Sequence, residues 1–497
     1  MANQEKNFRV ELLNSFLKTP HRRKEAFKEI HRDFLAKDPS CYAHLAAWYF
    51  DNQDIRDHKE LFIAHLVTNT FDLEYRDVGL ALLRDLPPYQ VARVVQYIKE
   101  ELRTVPTALK TEVTRYLRER ESNPSWFDSS ILHGRKHMKY LYATLRIKPG
   151  GQEVEIDYRG QRIKTSYADA ILFKKVYPKE SILPILREIT QAEKEKDIAK
   201  LLVKNNIPFR VAVGLIKEVT PMIMVAMLNN MSPQDVINHL GMLKRYGCMN
   251  NEDVKTLIME KLEAAKDNKR VHTMKTKVAA QQAGVDKDIE KALTDVADTK
   301  IQQKGKITRP TAILVDKSGS MENAVEVGKN LAAIVSAIID ADFYVYAFDE
   351  MAKSIISKDK ELSAWEKAFK PIIANGGTSI GCGIKALTKK QQYVESIIII
   401  TDEQENRAPI FIDAYKEYAE IMGVSPTITI LRVQPRSRQI IEACERNGVE
   451  YSVFEFNGDY YSLQEIVPLL IKPSTVDLLE EIMEYPLPQR KGELNCG

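Results

Sequence analysis

The sequence predicts an α + α/β protein, a long array of helices followed by one doubly wound parallel-sheet domain. Three observations predict it. Apolar residues recur at three- and four-residue spacing from about residue 7 to about 300, near-continuous Ile and Val runs begin only after Pro310, and Lys300–Arg309 between them carries lysine and glutamine without apolar periodicity. At 497 residues the chain exceeds what one core covers, so two domains are expected. With 44% hydrophobic and 28% charged residues, both should be ordered.

The helical half reads as short segments such as Ala26–Leu35, Leu61–Phe71, Tyr89–Leu102, Val211–Val219 and Val236–Leu243, separated by breaks carrying Pro, Asp or Asn. Ser232 followed by Pro233 is an N-cap and first-turn proline. Helix after helix with short turns predicts a solenoid of irregular pairs, similar to HEAT repeats, over residues 1–299. At about 150–166, Pro149-Gly150-Gly151 and the alternating stretch after Gln152 predict a hairpin turning at Arg159-Gly160. Residues 300–309 are the expected linker, 310–472 the sheet domain, and 473–497 a C-terminal helix and tail.

In the sheet domain Thr311–Asp316, Phe343–Phe348, Ser396–Thr401 and Thr427–Val433 read as strands, with helices near Ala324–Ile339, Ile410–Met422 and Arg438–Asn447 between them. Ligands of such sheets collect at the strands' carboxyl ends. Three segments fall there: Asp316-Lys-Ser318-Gly-Ser320, Asn375-Gly-Gly-Thr378, and Thr401-Asp402. Asp316, Ser318, Ser320, Thr378 and Asp402 offer only hydroxyl and carboxylate oxygens, the donor set that a hard divalent ion, above all Mg²⁺, prefers. The two glycines before Thr378 allow close backbone approach. A helix-capping turn with Ser320 as N-cap is the alternative for DKSGSM taken by itself. Asp349, Glu350, Glu403 and Glu405 read as solvated rim carboxylates.

Net charge is only +3, so local concentration of charge matters more than the total. Between Arg103 and Lys148, ten Lys or Arg stand against four Asp or Glu, with aromatic residues interleaved. On a helix, Arg135, Lys139, Tyr142 and Arg146 form one stripe with Lys136 and Tyr140 beside it, while Met138, Leu141 and Leu145 face inward. Such a stripe suits phosphate contact and base stacking on single-stranded nucleic acid. A solvated amphipathic helix with core tyrosines is the other reading. Arg159, Arg162, Lys164, Lys174 and Lys175 extend the positive region.

The five cysteines are scattered and lack CxxC spacing, which suits reduced thiols and a cytoplasmic setting. The first residues have no apolar run of signal-peptide length, and no membrane span is expected. GxxxxGK[ST], GxSxG and HExxH are absent, and Cys382 has no histidine near it in sequence, so no enzyme is expected.

The DxSxS, threonine and aspartate pattern resembles the metal-ion-dependent adhesion site of von Willebrand A domains. There the serines and threonine touch the metal, the aspartates act largely through water, and one position is left for a partner's carboxylate. The pairing of such a domain with a helical half resembles the Ro autoantigen, or TROVE, family. The likeness rests on Tyr116–Pro149, the helices from Pro208 to Leu262, and ILVDKSGSM, ANGGTS and IIIITDEQENRAP. It implies a ring of helical repeats bridged by the A domain, acting as a single copy within a ribonucleoprotein. It also implies binding of small Y-type non-coding RNA and of single-stranded ends of misfolded RNA. Arg135, Lys136, Lys139, Arg146, Lys174 and Lys175 are thereby implied to touch RNA backbone, and Arg115, Arg118, His137 and Tyr142 complete the candidate set. The alternative is a metal-dependent protein–protein scaffold without physiological RNA.

Overall fold

The computed structural model describes residues 25–490 apart from 54, 71, 269–270, 272–275, 277–278, 280–285, 304, 457–462, 464–465 and 473–474, together with Arg9 and Leu12. Most of the expected opening, residues 1–24, and the tail 491–497 lie outside the described residues.

Short polar side chains start the helices where the sequence breaks. Asp38 accepts from the Cys41 amide, Asp72 from Glu74, Asn123 from Trp126 and Ser232 from Asp235, so each offsets an amide that the helix itself leaves unpaired. Helices from Glu25 to Leu145 bury aromatic faces in a first core around Tyr42, Trp48, Phe62, Tyr116 and Tyr142. Helices from Ile185 to Gln302 bury a second, separate core of Ile, Leu, Val and Met side chains. Between the two blocks, β1 (Glu153–Tyr158) and β2 (Gln161–Ser166) form the expected hairpin, with Arg159 and Gly160 both at positive φ in its two-residue turn.

The C-terminal sheet runs in the order β5–β4–β3–β6–β7–β8. Its strands are β3 (Thr311–Asp316), β4 (Phe343–Phe348), β5 (Ala352–Ile355), β6 (Ser396–Thr401), β7 (Thr427–Val433) and β8 (Tyr451–Phe456). All neighbours are parallel except β5 on β4. Successive residues alternate between two covered faces. Ala312 and Leu314 pack with Ile397 and Ile399 under helices Ile380–Lys389 and Phe411–Met422, while Ile313 and Val315 pack with Ile398 and Ile400 against helix Glu322–Ile338. This second face shares one continuous core with the first helical block.

Two expected boundaries are corrected. The linker does not begin at residue 300, because helix Lys287–Gln302 carries the apolar period of Val296, Ala297 and Ile301 through it, and Ile307 already pairs with Ile339. The segment Val211–Val219 is helical only within Phe209–Leu215.

The chain closes on itself. Helix Thr475–Glu484 returns to helix Pro39–Asn52, where the Trp48 indole donates to Glu481 at 2.8 Å and the Tyr485 hydroxyl to Asp51 at 2.6 Å. His44 Nδ1 donates to the Tyr485 carbonyl at 2.7 Å. Arg490 then reaches the fully buried Glu112 at 2.8 Å, which Arg84 also holds at 2.6 Å. At the other end Gln302 and Gln303 bond to Ala337 and Lys266, so the sheet domain is fastened to both ends of the helical half.

Inside the first block three histidines sit without solvent. His31 Nδ1 meets the Tyr42 hydroxyl at 2.7 Å and its Nε2 meets His58 at 2.9 Å, while His65 lies beside Tyr97. Burial, then the neighbouring histidines, hold His31 well below the usual imidazole value. Burial, then Arg32, lowers His65 to about 4. A native state that refuses protons which the unfolded chain accepts is most stable above the ordinary histidine pKa of roughly 6.5 and loses stability as pH falls below it. The expected fall is about 1.4 kcal/mol per pH unit for each such histidine between roughly pH 6.5 and 4. Urea midpoints at pH 7, 6 and 5.5 check this before most carboxylates titrate, and a flat series contradicts it.

Candidate metal centre and basic surface

Sheet order reverses between β3 and β6, so the loops leaving these neighbouring strands diverge and open a crevice at their carboxyl ends. Asp316 ends β3 and Asp402 follows the last residue of β6. Asp316 is fully buried; its Oδ2 accepts from the Thr401 hydroxyl at 2.7 Å and its Oδ1 from the Ser318 amide at 2.9 Å. Burial raises its pKa, the nearby charge of Asp402 adds to this, and hydrogen bonds from Thr401 and Ser318 pull it back.

The third loop is fastened to both of the others. The Asn375 amide donates to the Lys317 carbonyl at 2.7 Å and the Gly319 amide to the Gly376 carbonyl. The Thr378 amide donates to the Asn406 side chain at 3.0 Å, and the Asn406 and Arg407 amides donate back to the Thr378 carbonyl. Gly376 has φ +85, and a Cβ on Gly377 would lie 2.9 Å from Glu350 and 3.1 Å from Asn406, so neither position tolerates a side chain without movement. Ser318 and Thr378 are buried, whereas Ser320 is exposed. Ser320 does not cap the following helix, which starts at Glu322 with Met321 at its N-cap and no side-chain cap bond. The capping alternative for DKSGSM is thus not what the loop does.

Among the described residues no three His, Cys, Asp or Glu cluster as a metal site. Any ion here must use hydroxyls beside the two aspartates. Protein cations are held elsewhere: Lys317 pairs with Asp349 and Arg407 with Glu350 at 3.1 Å, while Arg436 approaches Asp402 no nearer than 3.8 Å. A buried carboxylate pair flanked by hydroxyls, with no cation in direct contact, fits a hard divalent ion.

The rim reading of the acids is corrected in part. Glu403 is fully buried; Arg432 Nε lies 2.5 Å from it, poorly aligned for a hydrogen bond, and the Ile441 amide donates to it at 3.2 Å. Glu405 accepts from the Ile380, Gly381 and Phe411 amides, neutralising helix N-termini. The one charged residue in the otherwise apolar TITILRV was the signal for the first. Asn406 and Arg436 carried no signal in spacing. The Cys382 thiol, half-buried, is pushed up to about 12 by burial, the opposite of an activated nucleophile.

The basic surface is smaller than the sequence suggested. Helix Pro124–Leu145 is broken at Gly134, which has non-helical backbone angles. Tyr142, expected on the cationic stripe, is corrected to the core: it lies one residue after Leu141, four after Met138 and three before Leu145, so it falls within the apolar face, and its hydroxyl donates to Glu121 at 2.7 Å. Arg135, just past the break, donates inward to the Ile171 carbonyl at 2.8 Å and to Tyr177. Arg118 pairs with Glu121 and the Lys148 carbonyl, and Arg115 lies 3.7 Å from Glu112. His137 is partly covered beside Tyr89, with Nδ1 buried. Lys174 is tied to Asp169 at 3.1 Å. Lys136, Lys139, Arg146 and Lys175 remain exposed without a carboxylate partner among the described contacts.

Helical repeats joined to a doubly wound sheet, with DxSxS, Thr and Asp on adjoining loops, define a helical-repeat and von Willebrand A architecture. The whole chain has the fold of the Deinococcus radiodurans Ro (RSR) protein, with 14% identity, a TM-score of 0.63, and 93% of this chain and 99% of that one covered. Partial likenesses include BatB from Bacteroides thetaiotaomicron, 19% identical with a TM-score of 0.26 over 35% of this chain and 98% of that one. A von Willebrand factor type A protein from Catenulispora acidiphila is 19% identical, with a TM-score of 0.25 over 36% of this chain and 43% of that one. No protein-family model and no curated protein matches the sequence. Among the described residues no helix is long and apolar enough to cross a membrane.

Replacing Arg432 by alanine strands the buried Glu403 charge, so the variant should lose about 3–5 kcal/mol of stability in chemical denaturation. A loss under about 1 kcal/mol, the size of a solvated surface pair, contradicts the buried pairing.

Proposed function

We propose that this chain is a non-catalytic RNA-binding protein whose sheet domain docks a partner through a divalent metal. The observation that carries the RNA reading is the set of exposed, carboxylate-free cations Lys136, Lys139, Arg146 and Lys175. Phosphates are the anions that such a face neutralises, with release of counterions. Small Y-type RNAs and single-stranded ends of misfolded RNA are the ligands that the resemblance to Ro proteins implies, with one copy of the chain per ribonucleoprotein.

In the metal centre Ser318, Ser320 and Thr378 would hold Mg²⁺ directly, and Asp316 and Asp402 would act largely through water. Held there, Mg²⁺ would supply the positive charge that attracts a carboxylate from a protein partner. The chain's own groups orient it: Thr401 fixes the Asp316 carboxylate, and the Gln404 amide donates to Asp402 at 3.0 Å. A metal-dependent protein scaffold without physiological RNA is the second reading, favoured by this arrangement alone.

Observed affinity for a structured RNA should fall linearly on a log–log plot against salt, and Lys136→Gln or Lys139→Gln should each reduce the slope by about one. Binding indifferent to salt and to both substitutions contradicts RNA recognition. Separately, Mg²⁺ should raise the melting temperature of the full chain by mass action. Asp316→Ala and Asp402→Ala should lose that response, and a retained response contradicts the ligand set.

A further inference from the structure

Two aromatic rings border the exposed cations, and neither serves the reading above. Tyr158 ends β1 on the same side as the buried Val154 and Ile156, half-buried where the strand leaves the first core. Lys174 and Arg159 each lie 5.1 Å from its ring centre. Phe173 stands in a wide π-helical turn, Ala170–Lys174, with Lys139 at 5.6 Å from its ring centre, and is 36% exposed.

The setting of both rings is held from beneath. Arg135 binds the Ile171 carbonyl, Asp169 receives Lys174 at 3.1 Å and the Thr165 hydroxyl at 2.6 Å, and Tyr142 meets Phe173 edge-on at 6.3 Å. The opposite side of the hairpin neutralises itself, since register sets Glu155 against Lys164 and Asp157 against Arg162. Arg159 at the hairpin turn and Lys139 are exposed without a carboxylate partner among the described contacts, so their charge is left beside the rings. A ring face next to an ammonium group matches an unpaired nucleotide, whose base stacks while its phosphate meets the cation. A duplex hides its base faces and offers phosphate alone.

We infer that Tyr158 and Phe173 are stacking platforms for unpaired bases, with Arg159 and Lys139 meeting the flanking phosphates, so that this face selects single-stranded over duplex RNA. The inference rests on the RNA reading proposed above.

The test uses the full chain, a fluorescent oligouridylate of about twelve nucleotides, within the range of one binding groove, and a blunt duplex of equal length. Tyr158→Ala and Phe173→Ala should each weaken oligouridylate binding roughly tenfold, the effect of losing one stacked base, and leave duplex binding and the salt slope unchanged. Phe173→Tyr should bind as the parent does. Phe173→Leu keeps an apolar contact to Tyr142 and should still bind weakly, which covers the case in which the alanine variant does not fold. If neither ring matters while Lys136→Gln still weakens both probes, stacking is overturned and RNA recognition survives. Equal weakening of both probes also overturns it. If the parent protein binds neither probe in a salt-dependent way, both inferences fall together.

Discussion

Parallel register between β3 and β6 sets the buried Asp316 carboxylate beside Thr401, with Asp402 one residue further on, and the hydrogen bond from the Thr401 hydroxyl ties the two strand ends together where the sheet order reverses. Asp316 cannot relax into solvent, so Thr401 and Ser318 fix it by hydrogen bonds. Lys317, Arg407 and Arg432 are each engaged by an acid of a different segment, namely Asp349, Glu350 and Glu403. Outer charges are thus balanced pair by pair, whereas at the inner pair Arg436 approaches Asp402 only to 3.8 Å. The burial of Asp316 is a cost that the hydrogen bonds from Thr401 and Ser318 offset only in part.

The same carboxylates depend on the core below them. Alternation of Ile397, Ile399 and Ile398, Ile400 between two packed faces holds β6 in register, and a shift by one residue would reverse which side chains meet each helix layer. One of those faces is also the face against which the first helical block packs. Site geometry and attachment of the helical half therefore draw on one set of buried side chains.

Much of this was legible in the sequence, because its signals were periodic or local. Continuous Ile and Val marked both-face burial in β6, Ser232 and Pro233 marked a helix start, and Arg159-Gly160 marked the hairpin turn. DxSxS lay on its expected loop because a strand end fixes where the next residues go. What could not be read was the direction of individual side chains on a helix whose apolar face is wide. Tyr142 sits next to Leu141 and is covered like it, yet its hydroxyl let it pass as a surface residue until Glu121, 21 positions away, proved to be its partner. Arg135 escaped for a related reason: the break at Gly134 turns its side chain toward the Ile171 carbonyl, which spacing does not encode. The polar bonds from Trp48, Asp51 and Glu112 to the C-terminal segment join residues hundreds of positions apart and have no local trace.

The helical half carries two apolar cores, and the first is continuous with the sheet domain while the second stands apart. Mechanically, a belt of this kind has one thick section and one thin one. The seam between the two cores lies at Ile182–Leu186, where Leu183 belongs to the first core, Ile182 and Ile185 pack against the second, and Leu186 packs against both. There the Asp128 carboxylate accepts from the Ser181 hydroxyl and the Ile182 amide, both at 2.8 Å, so a single buried side chain rivets the thick section to the start of the thin one.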